Sequence, residues 1–417
     1  MHFYGAAFDR RSLEKELLAS DYKKDPNLTN DAYRGPILIA AQAQAKAGFG
    51  ALHLSIGSSK NAKLYKCNRL EQDLVVRRLS RNVKRFIRRR STDRETIIKS
   101  LRAVLADGHA YRVYKLDIQR FYESIDTKQI ATKLANEMAF PTASAKVFNF
   151  FADELVRQGI PGLPRGMSIS ATLSEYLMQD VDAAIKAEPE VYFYARYVDD
   201  IVIVTTGEEN RKTFYRKLQR NLPRGLEFNR GKCRVVPFFR RVVNRHANGT
   251  PEDTLDFLGY RFTVHGQTKE ENEVRRKVFL DISPKKIRRL KTRICLACLQ
   301  FFKDGHYRDL KDRISLISLN YNLYDTDKNI RRNVGLYWNY RFIDAPQSIG
   351  LPELDQFLKS LLLSKHGKLV AGLNAKLSSA QRDELLSVSF AKSFRAKTFR
   401  HFSAGRLAHL AGCWAYE

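Results

Sequence analysis

The residues at 191–198 (VYFYARYV) and 201–206 (IVIVTT) are rich in β-branched and aromatic side chains, so each run predicts a strand. They are joined by Asp199 and Asp200 with no glycine, which predicts a hairpin. YRVYKLDI at 111–118 and LDFLGYRFTV at 255–264 read as further strands, with LEFNRGKCRVVPF at 226–238 before the turn-rich NRHANGTPED. Helical spacing dominates elsewhere. Residues 1–110 read as mostly helical, with Leu70, Leu74, Leu79, Val83 and Ile87 (or Phe86) forming one stripe. Helices are also expected over 127–158, over 171–187 after the glycine- and proline-punctuated loop GIPGLPRGMSIS, and over 209–222. A basic helix begins at Ser283 as N-cap with Pro284 at its first position; Ile287, Leu290, Ile294, Ala297 and Phe301 make its apolar stripe. The tail predicts helices at 351–363 and 378–390. Hairpins without a repeated βαβ period predict an antiparallel sheet with helices on one face, an α+β fold.

Charge changes this picture. The 417 residues have room for two or three domains, and 73 Lys and Arg against 45 Asp and Glu give a net charge of +28. With 44% hydrophobic residues the chain is a folded protein whose positive surface suits a polyanion, nucleic acid foremost. It shows no 18-residue apolar span, no lipid-facing stripe and no signal peptide, so the expected location is cytoplasmic, away from membranes. From Arg77 to Arg94 nine basic residues face a single acid, Asp93. Such a face repels itself unless a polyanion is near, which nominates Arg77, Arg78, Arg81, Lys84 and Arg85 as nucleic-acid contacts. Lys285, Lys286 and Arg289 on the later basic helix join them. Five scattered cysteines suit a reducing compartment. Cys295 and Cys298 lack two further ligands for zinc and read as small buried helix residues.

The chemistry sits in the carboxylates. Taken alone, Asp199-Asp200 between strands is most simply a turn. Asp117, however, also ends an apolar strand, 82 residues earlier (199 − 117). If those strands are neighbours, the carboxylates converge at one sheet edge and repel unless a cation lies between them. Two divalent ions roughly 3.5–4 Å apart, held by such carboxylates, activate an attacking hydroxyl and stabilise a leaving phosphate oxygen. Magnesium suits this role, since it prefers one or two carboxylates plus substrate phosphates.

Four motifs now agree in order and spacing: KLDIQRFY, GLPRGMSIS, YVDD at 197–200, and DFLGY. Together, over residues 60–340, they resemble reverse transcriptases. The resemblance implies a right-hand polymerase with an antiparallel-sheet palm, helical basic fingers, a helical thumb and a C-terminal helical extension. The corresponding segments are 1–110 (fingers), 111–265 (palm, with a finger insertion at 127–160), 266–345 (thumb) and 346–417 (extension). It implies Asp117 and Asp199 as metal ligands and Asp200 as the less directly placed third carboxylate, holding two Mg2+ ions, with Mn2+ as an alternative. Adjacent strand side chains diverge, so only one of the Asp-Asp pair is expected to aim squarely at Asp117. Asp126 is expected only to start the next helix. Tyr122 matches the aromatic gate beneath the sugar 2′ position, with Phe121 as fallback, and Ile118 lies in the same nucleotide-binding segment. Gly166 and Ser170 match the loop and helix start beneath the nucleotide and template; Arg165 departs from the glutamine of many retroviral members. Asn229 and Lys232 resemble a later palm motif whose lysine approaches the triphosphate, with simple surface charge as the other reading. Lys63, Lys66 and Arg69 are finger candidates for triphosphate contact, and Phe257, Leu258, Gly259 and Tyr260 match the primer grip.

RRNVGLYWNYRF at 331–342 resembles the thumb helix of bacterial and group II intron-type enzymes. FYESID, LPRGMSISATLSE, VYFYARYVDDI and the ending CWAYE resemble stand-alone reverse transcriptases of bacterial antiviral defence, most of all one polymerase of a two-polymerase system. This implies a noncoding RNA template, a DNA product, dNTP substrates, a second reverse transcriptase subunit and a homo-oligomer. Two other classes stay open. One is a template-independent nucleotidyltransferase or RNA-dependent RNA polymerase of the same fold; the other is a catalytically silent RNA-binding scaffold. Nineteen tyrosines leave a protein primer open beside an RNA or DNA hydroxyl.

Overall fold

The structure, a computed structural model, describes residues 7–59, 62–88, 92–239, 251–270 and 273–414. It divides into two compact units, 1–94 with 110–238, and 95–109 with 239–417. In the first, a hairpin of β1 (Leu54–Ser59) and β2 (Ala62–Cys67) precedes helix α1 (Leu70–Lys84). A four-stranded sheet then forms from β3 (Tyr111–Asp117), β4 (Val191–Tyr197), β5 (Asp200–Thr205) and β6 (Arg234–Phe238), in the order β4-β5-β3-β6. Every pairing in it is antiparallel. Leu116, Ile118, Ile201 and Ile203 lie in its buried core with Phe148, Phe151, Leu173 and Leu177. Helix α2 (Thr127–Ala135) is followed by α3 (Thr142–Arg157), which supplies Phe148 and Phe151, and α4 (Ser168–Lys186), which supplies Leu173 and Leu177. Helix α5 (Arg211–Asn221) starts at Asn210, whose side chain accepts from the amides of Lys212 and Thr213.

The second unit holds the antiparallel sheet β7 (Pro251–Phe257), β8 (Tyr260–Glu270) and β9 (Glu273–Ile282), then helix α6 (Pro284–Asp304). A small hairpin, β10 (Asn320–Asp325) with β11 (Ile330–Gly335), interrupts the helices that follow. Ile287, Ile294, Ala297, Cys298 and Phe301 are the buried face of α6, with Leu290 half-buried beside them. Pro284 sits in its first turn as expected, although the Ser283 side chain makes no capping bond. Mixed helices and antiparallel sheets make this the α+β fold expected of a polymerase. Among the described residues no helix is long and apolar enough to cross a membrane.

Several elements differ from the sequence reading. Residues 1–110 are mostly helical as expected, with one unforeseen element: β1 and β2 form a hairpin in which, among the described side chains, Tyr65 and Cys67 are deeply buried. The expected helix over 127–158 is two helices, broken before Pro141, whose ring disfavours helix at the preceding residue. Strand β9 has Val278, Leu280 and Ile282 buried in alternation, a period-2 signal overlooked among its charges. Because β8 pairs with β9, the expected boundary at 265 falls inside β8. The segment expected as a thumb helix is strand β11 followed by a short helix over Leu336–Tyr340. Gly335 marks the change at φ +117°, where a Cβ would meet the Leu319 carbonyl oxygen at 2.3 Å. The turn expected at 244–250 and residues 415–417 of CWAYE lie outside the described residues.

The basic face of α1 is also not the open surface its charges suggested. Arg77 bonds the carboxylates of Asp21 and Asp73, both at 2.5 Å. Arg78 is buried against Glu16 at 3.2 Å, and Arg81 reaches the same carboxylate at 2.9 Å. Residues 16–21 and the first turn of α1 itself therefore supply acids that the sequence from 77 onward lacks. Lys84 and Arg85 are exposed. Arg78→Ala is expected to cost about 3 kcal/mol in urea unfolding, since it leaves the buried Glu16 poorly paired. Lys84→Ala and Arg85→Ala should leave stability unchanged, yet each should reduce the slope of log affinity for RNA against log salt by about 0.7–0.9.

Candidate active site

Strand pairing brings the predicted carboxylates together. In the β3–β5 ladder Asp117 lies directly opposite Asp200, and the next amide, Ile118 N, donates to the Asp199 carbonyl oxygen at 3.1 Å. Directly opposed residues of an antiparallel pair share a face, so register alone aims Asp200 with Asp117. Asp199 escapes the alternation expected from sequence because it lies in the two-residue turn, outside the ladder. Asp117 is 7% exposed; Asp199 and Asp200 are half-buried.

The site's electrostatics follow from this crowding. Burial, then the charge of Asp117, raises the Asp199 pKa above the ordinary carboxylate value, against the pull of Lys232 and Arg165. Burial also raises Asp200, followed by the charges of Asp199 and Asp117, while Lys115 and Lys232 oppose. The three side chains thus sense one another. Among the described residues no three His, Cys, Asp or Glu side chains are gathered closely enough to hold a metal unaided. An all-oxygen donor set that repels itself still fits a hard divalent cation completed by substrate phosphates.

The turn carrying Asp199 is itself constrained. Val198 has φ +61°, a costly conformation for a β-branched residue. Arg196, 7% exposed, donates to the Val198 carbonyl oxygen at 3.2 Å. Its guanidinium also forks onto Glu175 at 2.9 and 3.0 Å and onto Asp182 at 2.8 Å through two nitrogens. Both acids project from α4, seven residues apart on one face, and Asp182 also accepts from the Tyr194 hydroxyl at 2.6 Å. Burial disfavours the Arg196 charge, and the two carboxylates more than offset it, raising its pKa. Sequence reading missed Arg196, Glu175 and Asp182. The available signal was an arginine inside an otherwise apolar strand, which demands buried acids.

The loop before α4 meets the turn after β3. Leu163 N donates to the Tyr122 carbonyl oxygen at 2.8 Å, and a Cβ on Gly162 would stand 2.3 Å from that same oxygen. Arg165 forks onto Glu123 at 2.5 and 3.0 Å and stands 5.7 Å from the Tyr122 ring centroid. Its charge is thus already paired with a carboxylate of this chain. Burial, then the charges of Asp199 and Glu175, raises the Tyr122 pKa, with Ser174 at its hydroxyl acting the other way. Tyr122 is half-buried and senses the charge of Asp199, whereas Phe121 is 1% exposed and packs in the core. Gly166, at φ +97°, would drive a Cβ to 2.9 Å from the Tyr65 carbonyl oxygen, and Tyr65 N donates to the Arg165 carbonyl at 2.7 Å. The β1–β2 hairpin is thereby seated on this loop. Ser170 is buried, its hydroxyl bonded to the Pro164 carbonyl at 2.6 Å, so it braces the helix start rather than facing a ligand. Ile118 is buried as well.

Lys232 joins the carboxylates. Its ammonium lies 3.0 and 3.2 Å from the Asp117 oxygens while the side chain stays 61% exposed. Asn229 sets this placement: its amide donates to the Asp117 carbonyl at 2.7 Å and its carbonyl accepts from Lys232 N at 2.9 Å. Asp126 caps α2 by accepting from Lys128 N, as expected. Lys63, Lys66 and Arg69 are exposed at and beyond β2. In the second unit, Phe257 and Tyr260 are core residues at 2% and 1% exposure, and Leu258 and Gly259 form the hairpin turn at φ +46° and +85°. Only that turn leaves the core. Lys285 and Arg289 lie on the exposed face of α6, with Lys286 half-buried.

Residues 60–262 match the family model described as "Reverse transcriptase (RNA-dependent DNA polymerase)". The match leaves out β1 and spans β2, the whole four-stranded sheet and its three carboxylates, just under half of the chain. Among solved structures, apo telomerase from Candida tropicalis, truncated from its C-terminal domain, is similar at 10% identity. Its TM-score is 0.35, with 52% of this chain and 53% of that one covered. The chain thus spans about half the length of that structure, and a likeness so distant decides nothing about function. No curated protein matches the chain.

Two outcomes follow for stability. A carboxyl whose pKa is raised by folding stabilises the fold below the ordinary carboxylate range and loses that contribution as pH rises through its folded value. Ionised Asp200 therefore opposes folding at neutral pH. Asp200→Asn is expected to gain about 0.5–2 kcal/mol at pH 7 in metal-free urea unfolding, a gain that fades below about pH 4. Arg196→Lys keeps the charge and loses the double fork; it should cost about 2–3 kcal/mol by the same measurement.

Proposed function

We propose that this chain is an RNA-directed DNA polymerase, acting through the reverse transcriptase domain at residues 60–262. The observation that carries the reading is the meeting of Asp117, Asp199 and Asp200 at one sheet edge, where each raised carboxyl reports the charge of another. Two divalent cations, magnesium or manganese, would be held by these carboxylates and the substrate phosphates, activating the primer hydroxyl and stabilising the leaving oxygen. Within that site Tyr122 lies beneath the sugar of the incoming nucleotide and excludes a 2′-hydroxyl. Lys232 stands beside Asp117, in reach of the triphosphate's negative charge. Gly166 lets the main chain of 164–167 approach both the hairpin and the nucleotide. The Leu258–Gly259 turn serves the primer end, and the exposed Lys84, Arg85, Lys285 and Arg289 hold nucleic-acid backbone.

In this reading 1–110 serve as fingers, 111–265 as palm, 266–345 as thumb and 346–417 as extension. The template is a dedicated noncoding RNA and the setting is bacterial antiphage defence in the cytoplasm. The chain works with a second reverse transcriptase subunit or as a homo-oligomer. Support for these finer statements is the combined resemblance of FYESID, LPRGMSISATLSE and VYFYARYVDDI.

The test uses purified protein with its co-purifying nucleic acid retained, magnesium, and labelled deoxy- or ribonucleotides, followed by sequencing of the product. DNA complementary to the bound RNA is expected, with incorporation reduced about 10³-fold or more in Asp199→Ala. A product matching no RNA points to template-independent synthesis. No incorporation, even with RNA and primer supplied, overturns the polymerase reading in favour of a binding scaffold.

A further inference from the structure

We propose that Glu123 is a positioning residue for the Tyr122 gate: it holds the Arg165 guanidinium against the Tyr122 ring and thereby sets the preference for deoxynucleotides over ribonucleotides. The inference rests on the polymerase reading and on Tyr122 lying beneath the sugar.

The residues form a closed circuit. Tyr122 and Glu123 are neighbours in the turn after β3, and Leu163 and Arg165 are two residues apart in the facing loop. Leu163 N pins the Tyr122 carbonyl at 2.8 Å, and Gly162 allows the two backbones to touch. That clamps the main chain of the gate; Ser174 meets its hydroxyl, and the faces of the ring are left to be placed. Phe121 supports the ring from the core at a centroid distance of 5.3 Å. Arg165 meets it at 5.7 Å, within the range of a cation–π contact.

A guanidinium has competing attractions here. Arg165 also experiences the charge of Asp199, and a triphosphate would add a stronger one. What keeps it at the ring is the two-point bond to Glu123, at 2.5 and 3.0 Å. A planar fork answered by a planar carboxylate fixes orientation as well as distance. Burial raises the Glu123 carboxyl, and the Arg165 bonds outweigh it, holding the group below its ordinary value and ionised at neutral pH. A glutamine at 165 could not make this fork. The arginine that departs from the retroviral pattern and the acid beside the gate therefore act as one unit.

The experiment measures single-nucleotide extension of a DNA primer on an RNA template by the full chain, with a dNTP and with the matching rNTP. The reading is the ratio of their kcat/KM values. Glu123→Gln and Arg165→Gln are each expected to lower this selectivity about five- to tenfold, and the double variant no further than either alone, because both remove one shared contact. Glu123→Asp, which keeps the carboxylate, should retain part of the selectivity. A merely loosened fold slows both nucleotides alike and leaves the ratio unmoved. An unmoved ratio, or losses that multiply in the double variant, overturns the proposal while the polymerase reading stands. A parent protein that incorporates neither nucleotide removes the polymerase reading and this inference with it.

Discussion

Repulsion among three carboxylates at one edge of a sheet is the constraint around which the first unit is arranged. Asp117 and Asp200 face each other because β3 and β5 pair in that register, and the turn adds Asp199. A slip of one residue would turn Asp200 to the opposite face. The register is secured on both sides of Asp117: β5 pairs along one edge of β3, and β6 along the other, from Tyr111 to Lys115. The Asn229 loop then continues the hold to Asp117 itself. Side chains that repel are tolerated because the backbone leaves them nowhere else to go.

Arginine does much of the holding. In a chain with so large a basic excess, the scarce acids are used as internal anchors. Glu175 and Asp182 fix Arg196 behind the strained Val198 turn. Asp21, Asp73 and Glu16 turn Arg77 and Arg78 inward. Asp309 and Asp312 collect Arg406, and Asp312 collects Arg400, at the end of the second unit. Each anchor satisfies a buried charge that would otherwise be prohibitive. Each such pair takes one base and one acid together, so the net excess of +28 is undiminished, and exposed residues such as Lys84, Arg85 and Lys285 carry part of it.

The legibility of the site from sequence varied with the range of the interactions involved. The strands around Asp117 and Asp199 were readable because β-branched and aromatic runs bounded by polar turns have few other uses. The same held for α6, with its apolar stripe and Pro284 at the start. Harder cases were those in which local pattern and tertiary partner disagreed. LSIGSS and AKLYKC have little apolar alternation, and they form a hairpin seated on the Arg165–Gly166 backbone. Strand β9 carried readable alternation from Val278 to Ile282, obscured by basic neighbours. Phe257 and Tyr260 looked like contact residues and proved to be core.

By itself the sequence determined the residue types that the chemistry requires, their order along the chain, and the alternation that places Asp117 at a strand end and Asp199-Asp200 at a hairpin. These depend on interactions within a few residues, where propensity and period decide. Tertiary structure alone decided which charges meet. Arg196 finds acids 21 and 14 residues away, Arg165 finds Glu123 across 42, and Lys232 reaches Asp117 across 115. Coulomb attraction and desolvation act on distance in space, and no period along the chain encodes them. Tyr122 was therefore nameable from its spacing to Asp117, whereas the arginine against its ring and the glutamate holding that arginine became visible only when two loops were folded together.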